Sequence, residues 1–284
     1  MADKIKTVPL PDDESYHYWE AFEKTFAIQY GDGTYCFLLE GDERALLIDT
    51  VYGRGDFPNI LKKLTDKPVI LVNTHGHYDH TGGNFWFPKA LMHPNAAPEA
   101  KRAFGPVDQA FFANFPYPDY EIETIDEGYV FELGGRKVEV LHTPAHSEGS
   151  LSFIDHKRRL LFCGDEFDSG QANLRDLTAV RQFLNNMQRL KAREAEYDYI
   201  MPSHNGCPIT KRYLDDFIAN AQDILAGNPH LVPIEDAPGY DEGMKSRVRS
   251  RVGLAAIIYH PVEHAKGCLL YTSRSSRSTA SRTS

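Results

Sequence analysis

Residues 73–84 read NTHGHYDHTGGN and place His75, His77, Asp79 and His80 within six positions. One histidine alone is most simply a hydrogen-bonded surface or core residue. Three histidines with a carboxylate call for another account, because imidazole nitrogen and carboxylate oxygen together suit zinc and related first-row ions. His75 and His77 stand two apart at the end of an apolar run, so strand alternation sends them to the same side. Asp79 and His80 are adjacent, and a loop at this point can aim two sets of ligands at two places. No cysteine lies nearby, which argues against a purely structural site, since those are usually closed by thiolates. The chemistry on offer is activation of water, whose pKa falls from about 15.7 to about 7 on a divalent ion.

The neighbouring segments must position this loop. PVILVNT (68–74) reads as a buried strand bounded by Pro68, and FPNILKKLTD (57–66) has apolar residues at helical spacing. Upstream, TFAIQY, YCFLLEGD and RALLIDT are divided by Gly31, Asp32, Gly33 and by Gly41, Asp42, which predicts an antiparallel meander. ALMH (90–93) is a further strand, and PNAAPEAKRAF (94–104) a helix opened by a proline in its first turn. A second β-rich half covers 128–165 with Gly or charged turns. Two amphipathic helices follow, 176–194 with Asp176 as N-cap and 210–227 with Thr210 as N-cap and Gly227 closing it. Between them DYIMPSHNG is a strand ending in a histidine loop. Strands then helices, twice over, predict an α/β protein of two sheets face to face with helices outside.

Bulk properties narrow the partners. The chain has 284 residues, 31 Lys and Arg against 40 Asp and Glu, and a net charge of −9. That balance argues against a sequence-independent hold on nucleic acid and favours a small-molecule substrate. Cys36, Cys163, Cys207 and Cys268 are far apart with no CxxC pair, which suits a reducing cytoplasm. No apolar run approaches a membrane span and the N-terminus has no secretory segment, so no membrane association is expected. Residues 268–284 hold nine Ser or Thr, three Arg and no acid. They are read as a non-native or disordered tail, leaving 1–267 as one domain.

THGHYDHTGG resembles the H-x-H-x-D-H signature of the metallo-β-lactamase-fold superfamily, and the companion motifs follow in order. HTPAHSEGS supplies His146, LLFCGDEFDSG supplies Asp165 and IMPSHNG supplies His204, each after an apolar strand. The resemblance runs from about Thr25 to Gly227; Ala145 departs from it where many members have Gly. It implies a four-layer αββα sandwich of two mixed β-sheets. It further implies that His75, His77 and His146 hold one divalent metal, that Asp79, His80 and His204 hold a second, and that Asp165 bridges both. Asp49, ending RALLIDT, matches a carboxylate that orients the histidine loop from behind. Zinc is the expected metal, with iron or manganese as alternatives.

The implied activity is hydrolysis of a small ester-like compound, a thioester or lactone, by a metal-held hydroxide that Asp79 also orients, as in the glyoxalase II and lactonase-like branch. Alternatives on the same scaffold are a mononuclear iron persulfide dioxygenase, a phosphodiesterase and a β-lactamase. The oligomeric state is left open, a homodimer included. Two segments stand outside the motifs. Residues 103–120 concentrate six aromatics and read equally as a lid or a satellite core, and Lys245, Arg247, Arg249 and Arg251 read as a solvated face or an anion grip. His93 and His142 could reach the site or merely satisfy a backbone carbonyl.

Overall fold

In the strand Thr34–Glu40, Tyr35, Phe37 and Leu39 join one apolar cluster while Cys36 and Leu38 join another, so a single segment serves two cores by simple alternation. The structure, a computed structural model, describes residues 16–262 apart from 32, 54, 56 and 102–118. Its first sheet runs in chain order: β1 (Tyr16–Phe22), β2 (Thr25–Tyr30), β3 (Thr34–Glu40), β4 (Ala45–Ile48), β5 (Val69–Val72), β6 (Lys89–Met92) and β7 (Glu121–Thr124). β2, β3 and β4 form the expected antiparallel meander, β1 adds an unpredicted antiparallel strand at its edge, and β4 to β7 pair parallel.

The second sheet takes the order β14-β13-β11-β10-β9-β8, from β8 (Val130–Glu132), β9 (Lys137–His142), β10 (Leu151–Asp155), β11 (Leu160–Gly164), β13 (Tyr199–Pro202) and β14 (Ile209–Thr210). Phe37, Leu46, Ile48 and Val72 of the first sheet meet Val138, Val140, Phe153 and Phe162 of the second in the core between them. Helix α1 (Phe57–Leu64) covers the outer face of the first sheet through Phe57, Ile60 and Leu61. The short helices α2 (Tyr78–Thr81) and α3 (Ala97–Ala100) follow. Helices α4 (Leu177–Ala192) and α5 (Arg212–Leu225) cover the second sheet, Phe183, Met187 and Phe217 packing with Ile154, Leu161 and Ile200. This is the αββα sandwich.

A third sheet was not expected from the sequence. It has the order β12-β17-β16-β15, from β12 (Gln171–Asp176), β15 (Leu231–Val232), β16 (Val248–Val252) and β17 (Ala255–His260). It packs against α4 and α5, whose buried faces are wide enough to meet a sheet on each side. Buried Asn220 on α5 fastens it, its Nδ2 donating to Ser250 O at 2.8 Å and Ala255 O at 3.0 Å. Gln171–Asp176 is two-thirds polar and its parallel partner lies some eighty residues away, so local pattern alone does not announce the strand.

Two boundaries also differ. Thr210 is not a cap: it pairs with Tyr199 as the end of β14, and α5 begins at Arg212 with no side-chain cap. Asp176 does cap α4, accepting from Ala179 N–H at 3.0 Å. The helix predicted over 94–104 is confined, within the described residues, to one turn at Ala97–Ala100.

One buried ion pair staples the two main sheets. Arg136, 1% exposed, donates from Nε and Nη2 to Asp155 Oδ2 at 3.0 and 2.6 Å. Its remaining donors reach Lys24 O at 2.6 Å, Glu40 O at 3.0 Å and Thr25 Oγ1 at 2.6 Å. Every partner belongs to the turns and strands of the facing sheet or to β10, and such full satisfaction is what makes a buried charge tolerable.

Candidate metal centre

β4 and β5 are neighbours in the first sheet, and their C-terminal ends start the site. At the end of β4 Asp49 adopts a left-handed backbone conformation, φ +65°, and is fully buried. Its Oδ1 accepts from Thr74 N–H at 2.7 Å and its Oδ2 from Thr74 Oγ1 at 2.8 Å. Oδ2 also accepts from His80 Nδ1 at 2.9 Å. With its proton committed to Asp49, the Thr74 hydroxyl accepts from His75 Nδ1 at 3.0 Å. His75 and His80 are thereby held in the tautomer that leaves Nε2 as a lone pair. Close loop packing is enforced by glycines: a Cβ on Gly53, φ +62°, would fall 2.0 Å from the Gly83 Cα.

The other ligands arrive from the second sheet. His146 follows β9, Asp165 directly follows β11 and His204 follows β13. His146 Nδ1 donates to Asn173 O at 3.0 Å, so it too presents Nε2, which lies 3.1 Å from His77 Nδ1. The seven side chains gather into two groups, His75–His77–His146 and Asp79–His80–Asp165–His204. Within the second, His204 Nε2 lies 3.3 Å from His80 Nε2, 3.3 Å from Asp79 Oδ2 and 3.2 Å from Asp165 Oδ2.

These donors fit metal ions. Ring nitrogens face one another at close range, and the buried His75 Nε2 has no hydrogen-bond partner among the described residues. Separations near 3.1–3.3 Å match the edge, about 3.3 Å, of a tetrahedron with ~2.0 Å metal–ligand bonds. Electrostatics divides the groups. Burial holds the His75 and His146 pKa below the ordinary imidazole value. Burial also acts on His80 and His204, but Asp165 and Asp79 outweigh it, raising His80 well above the usual range and pushing His204 up to about 11. Asp79 and Asp165 are held well below the carboxylate range because those imidazoles outweigh the cost of burial.

A sequence profile of the Metallo-beta-lactamase superfamily matches residues 30–204. The chain belongs to that superfamily. It is 26% identical over 189 residues to the acyl-coenzyme A thioesterase MBLAC2 of Bos taurus, covering 56% of this chain and 68% of the relative. To the hydroxyacylglutathione hydrolase of Aeromonas salmonicida it is 28% identical over 161 residues, 56% of each chain. Among solved structures, the metallo-beta-lactamase from Pontibacter korlensis aligns with a TM-score of 0.54 at 20% identity, over 73% of this chain and 99% of that one, and speaks to the fold. By superfamily and by relatives the chain is a hydrolase.

The superfamily motifs do not point to the residues that support them here. Glu166, fully buried beside Asp165, accepts at Oε2 from the N–H groups of Ala145 and His146 at 3.2 and 3.3 Å. Asn186 of α4 donates to its Oε1 at 2.8 Å, and burial pushes the Glu166 pKa up to about 7. Asp168 is 5% exposed with Oδ1 unpartnered among the described residues, within electrostatic reach of Asp165, His204, His80 and Asp79. Burial pushes its carboxyl well above the usual range. The only trace of either in sequence is a run of acids in GDEFDSG.

Other candidates lie elsewhere. The rings of His93 and His142 stack on each other at 4.1 Å, and His142 Nε2 donates to Glu148 O, so neither joins the two donor groups. With Asp126 they make a separate cluster, whose ligand atoms lie within 4.8 Å of one another. Cys163 is buried and donates to Phe167 O at 3.3 Å, while burial pushes Cys207 up to about 12; neither is poised as a nucleophile. The basic run does not form one face: Arg249 is buried, Lys245 pairs with Glu242 and Arg251 Nε donates to Gly253 O at 3.2 Å. Of the aromatic segment 103–120, only 119 and 120 fall within the described residues, as the tail 268–284 also falls outside them. No described helix is long and apolar enough to cross a membrane.

Proposed function

We propose that this chain is a dinuclear metal-dependent hydrolase of a small thioester, with zinc as its metal. The observation that supports two ions is Asp165. Its Oδ1 lies 3.3 Å from His80 Nε2, and its Oδ2 lies 3.2 Å from His204 Nε2 and 3.8 Å from His146 Nε2, so one carboxylate reaches both donor groups. His75, His77 and His146 would hold one ion and Asp79, His80 and His204 the other, with Asp165 between. Bound ions would supply Lewis acidity toward the substrate carbonyl and a water acidified to a pKa of about 7.

The protein's part is positioning. Asp49 and Thr74 lock the His75 and His80 rings, and the Asn173 carbonyl and Glu166 lock the His146 ring and backbone. Asp79, held ionised, accepts a hydrogen bond and so orients the attacking water rather than carrying a proton away. Thioesters are favoured over lactones by the two relatives, one named an acyl-coenzyme A thioesterase and the other a hydroxyacylglutathione hydrolase. The test is metal analysis with a panel of thioester, lactone, phosphodiester and β-lactam substrates. Two zinc ions per chain with thioester turnover is the expected result. Two bound ions without hydrolysis of any substrate, or one iron with oxygen uptake on a persulfide, would overturn it.

A further inference from the structure

We infer that the cavity beside His204 is the acyl-binding site and that it selects an aryl acyl group through the faces of Tyr30 and Tyr52; this rests on the thioesterase reading above. The cavity has a volume of about 530 Å³ and is lined by Tyr30, Gly31, Thr34, Tyr52, His204 and Asn205, with Gly33. That size accepts a group well beyond a short acyl chain. His204 is the hinge of the argument. It lines the cavity while its Nε2 sits 3.2 Å from Asp165 and 3.3 Å from Asp79, so a group seated here places its carbonyl end at the donor cluster.

The aromatic wall is continuous. Tyr30, ending β2, lies 5.6 Å from Tyr52 at an interplanar angle of 52°, and Tyr52 lies 5.6 Å from Tyr78 at 69°. Tyr78 stands between His77 and Asp79, so the seam of rings leads from the cavity into the metal loop itself. Tyr16 braces Tyr30 from behind at 4.8 Å. The opposite side is backbone. Thr34 and His204 form a β-bridge and Tyr35 N–H donates to Ser203 O at 2.8 Å, fixing the hairpin turn against the histidine loop. Gly31, φ +58°, has nothing among the described residues within 4 Å of where a Cβ would stand, chain neighbours aside.

Charge decides what part of the substrate enters. Among the described residues the lining carries no Lys, Arg, Asp or Glu, although the metal groups beside it hold two carboxylates. Among these described residues a phosphate- or carboxylate-bearing thiol carrier finds no counter-charge, whereas a neutral ring needs none. Tyrosine faces add offset and edge-on contacts that a flexible alkyl chain cannot use. The acyl half, in aryl form, therefore occupies the cavity and the thiol half leaves toward solvent.

The experiment compares phenylacetyl and hexanoyl thioesters of N-acetylcysteamine, which removes any charged carrier, on the zinc-loaded chain. The expected kcat/KM is at least about tenfold higher for the aryl substrate. In Tyr52→Leu and Tyr30→Leu that ratio should fall about tenfold, through KM rather than kcat, and Tyr30→Phe should keep it. Independently of turnover, calorimetry on the metal-free chain should show binding of phenylacetamide, a neutral aryl probe, that weakens about tenfold in Tyr52→Leu. Equal kcat/KM for the two thioesters, or phenylacetamide binding that is absent or indifferent to Tyr52→Leu, would overturn the inference. If neither thioester is hydrolysed the thioesterase reading falls, and phenylacetamide binding alone then decides the cavity.

Discussion

His80 Nδ1 donates to Asp49 Oδ2 at 2.9 Å across 31 residues of chain, and the same carboxylate accepts twice from Thr74. One buried anion thus sets the tautomer of His80 and, through the Thr74 hydroxyl, that of His75. Asp49 contacts no substrate; it is a positioning residue for donors in both groups. Asp49→Ala is expected to lower zinc affinity roughly 10–100-fold. The check is metal content after dialysis against a chelator series, with kcat restored at high zinc. Unchanged affinity would remove Asp49 from this role.

Glu166, just past the end of β11, brackets the His146 turn that follows β9 in the same sheet. Glu166→Ala strands the His146 N–H and the Asn186 amide in a fully buried place, while the Ala145 N–H keeps Thr143 O at 3.1 Å, and each unmet group costs about 1–3 kcal/mol. A fall in Tm of roughly 5–10 °C is expected, together with weaker metal binding, measured by thermal unfolding of apo and zinc-loaded protein. Glu166→Gln keeps an acceptor for the Ala145 and His146 amides and should recover most of both. If Ala and Gln variants behave alike, the bracket is not what holds the turn.

Arg136 tests the assembly of the two sheets rather than the chemistry. Arg136→Met leaves the Asp155 carboxylate buried without its ion-pair partner and removes a donor from Lys24 O and from Glu40 O, so a loss of about 3–5 kcal/mol is expected. The double variant Arg136→Met with Asp155→Leu should be less destabilised than the single one, because no orphan charge remains. Urea unfolding midpoints decide it, and strictly additive losses would contradict the explanation.

A pH dependence follows from His93, away from the metal ligands. Burial first, then His142, holds its pKa below the ordinary imidazole value, against the weaker pull of Asp126. The unfolded chain takes up a proton near pH ~6.5 that the folded chain refuses until lower pH. Between those values the unfolded state binds more protons, so this residue's contribution makes stability fall as pH falls through the window. Unfolding free energies of zinc-loaded protein at pH 7.5, 6.5 and 5.5 should decline less steeply in His93→Gln than in the parent chain. Parallel declines would discard the assignment.

The two main layers and the donor types were legible because they are local. Alternation along TYCFLLE shows a strand with two buried faces, and the order of His75, His77, Asp79 and His80 shows a ligand loop, both within a few residues. The family pattern extended the reading to His146, Asp165, His204 and Asp49. What only the tertiary structure decided depends on distance in space between parts remote in sequence. Asp165 reaches both donor groups because β11 sits where β9 and β13 deliver their histidines. Glu166 satisfies amides about twenty residues away, Arg136 reaches back more than a hundred to Thr25, and Tyr30 meets Tyr52 from a different strand connection. A polar side chain in sequence carries no mark of its partner, since the cost of burying it appears only once folding has removed the water.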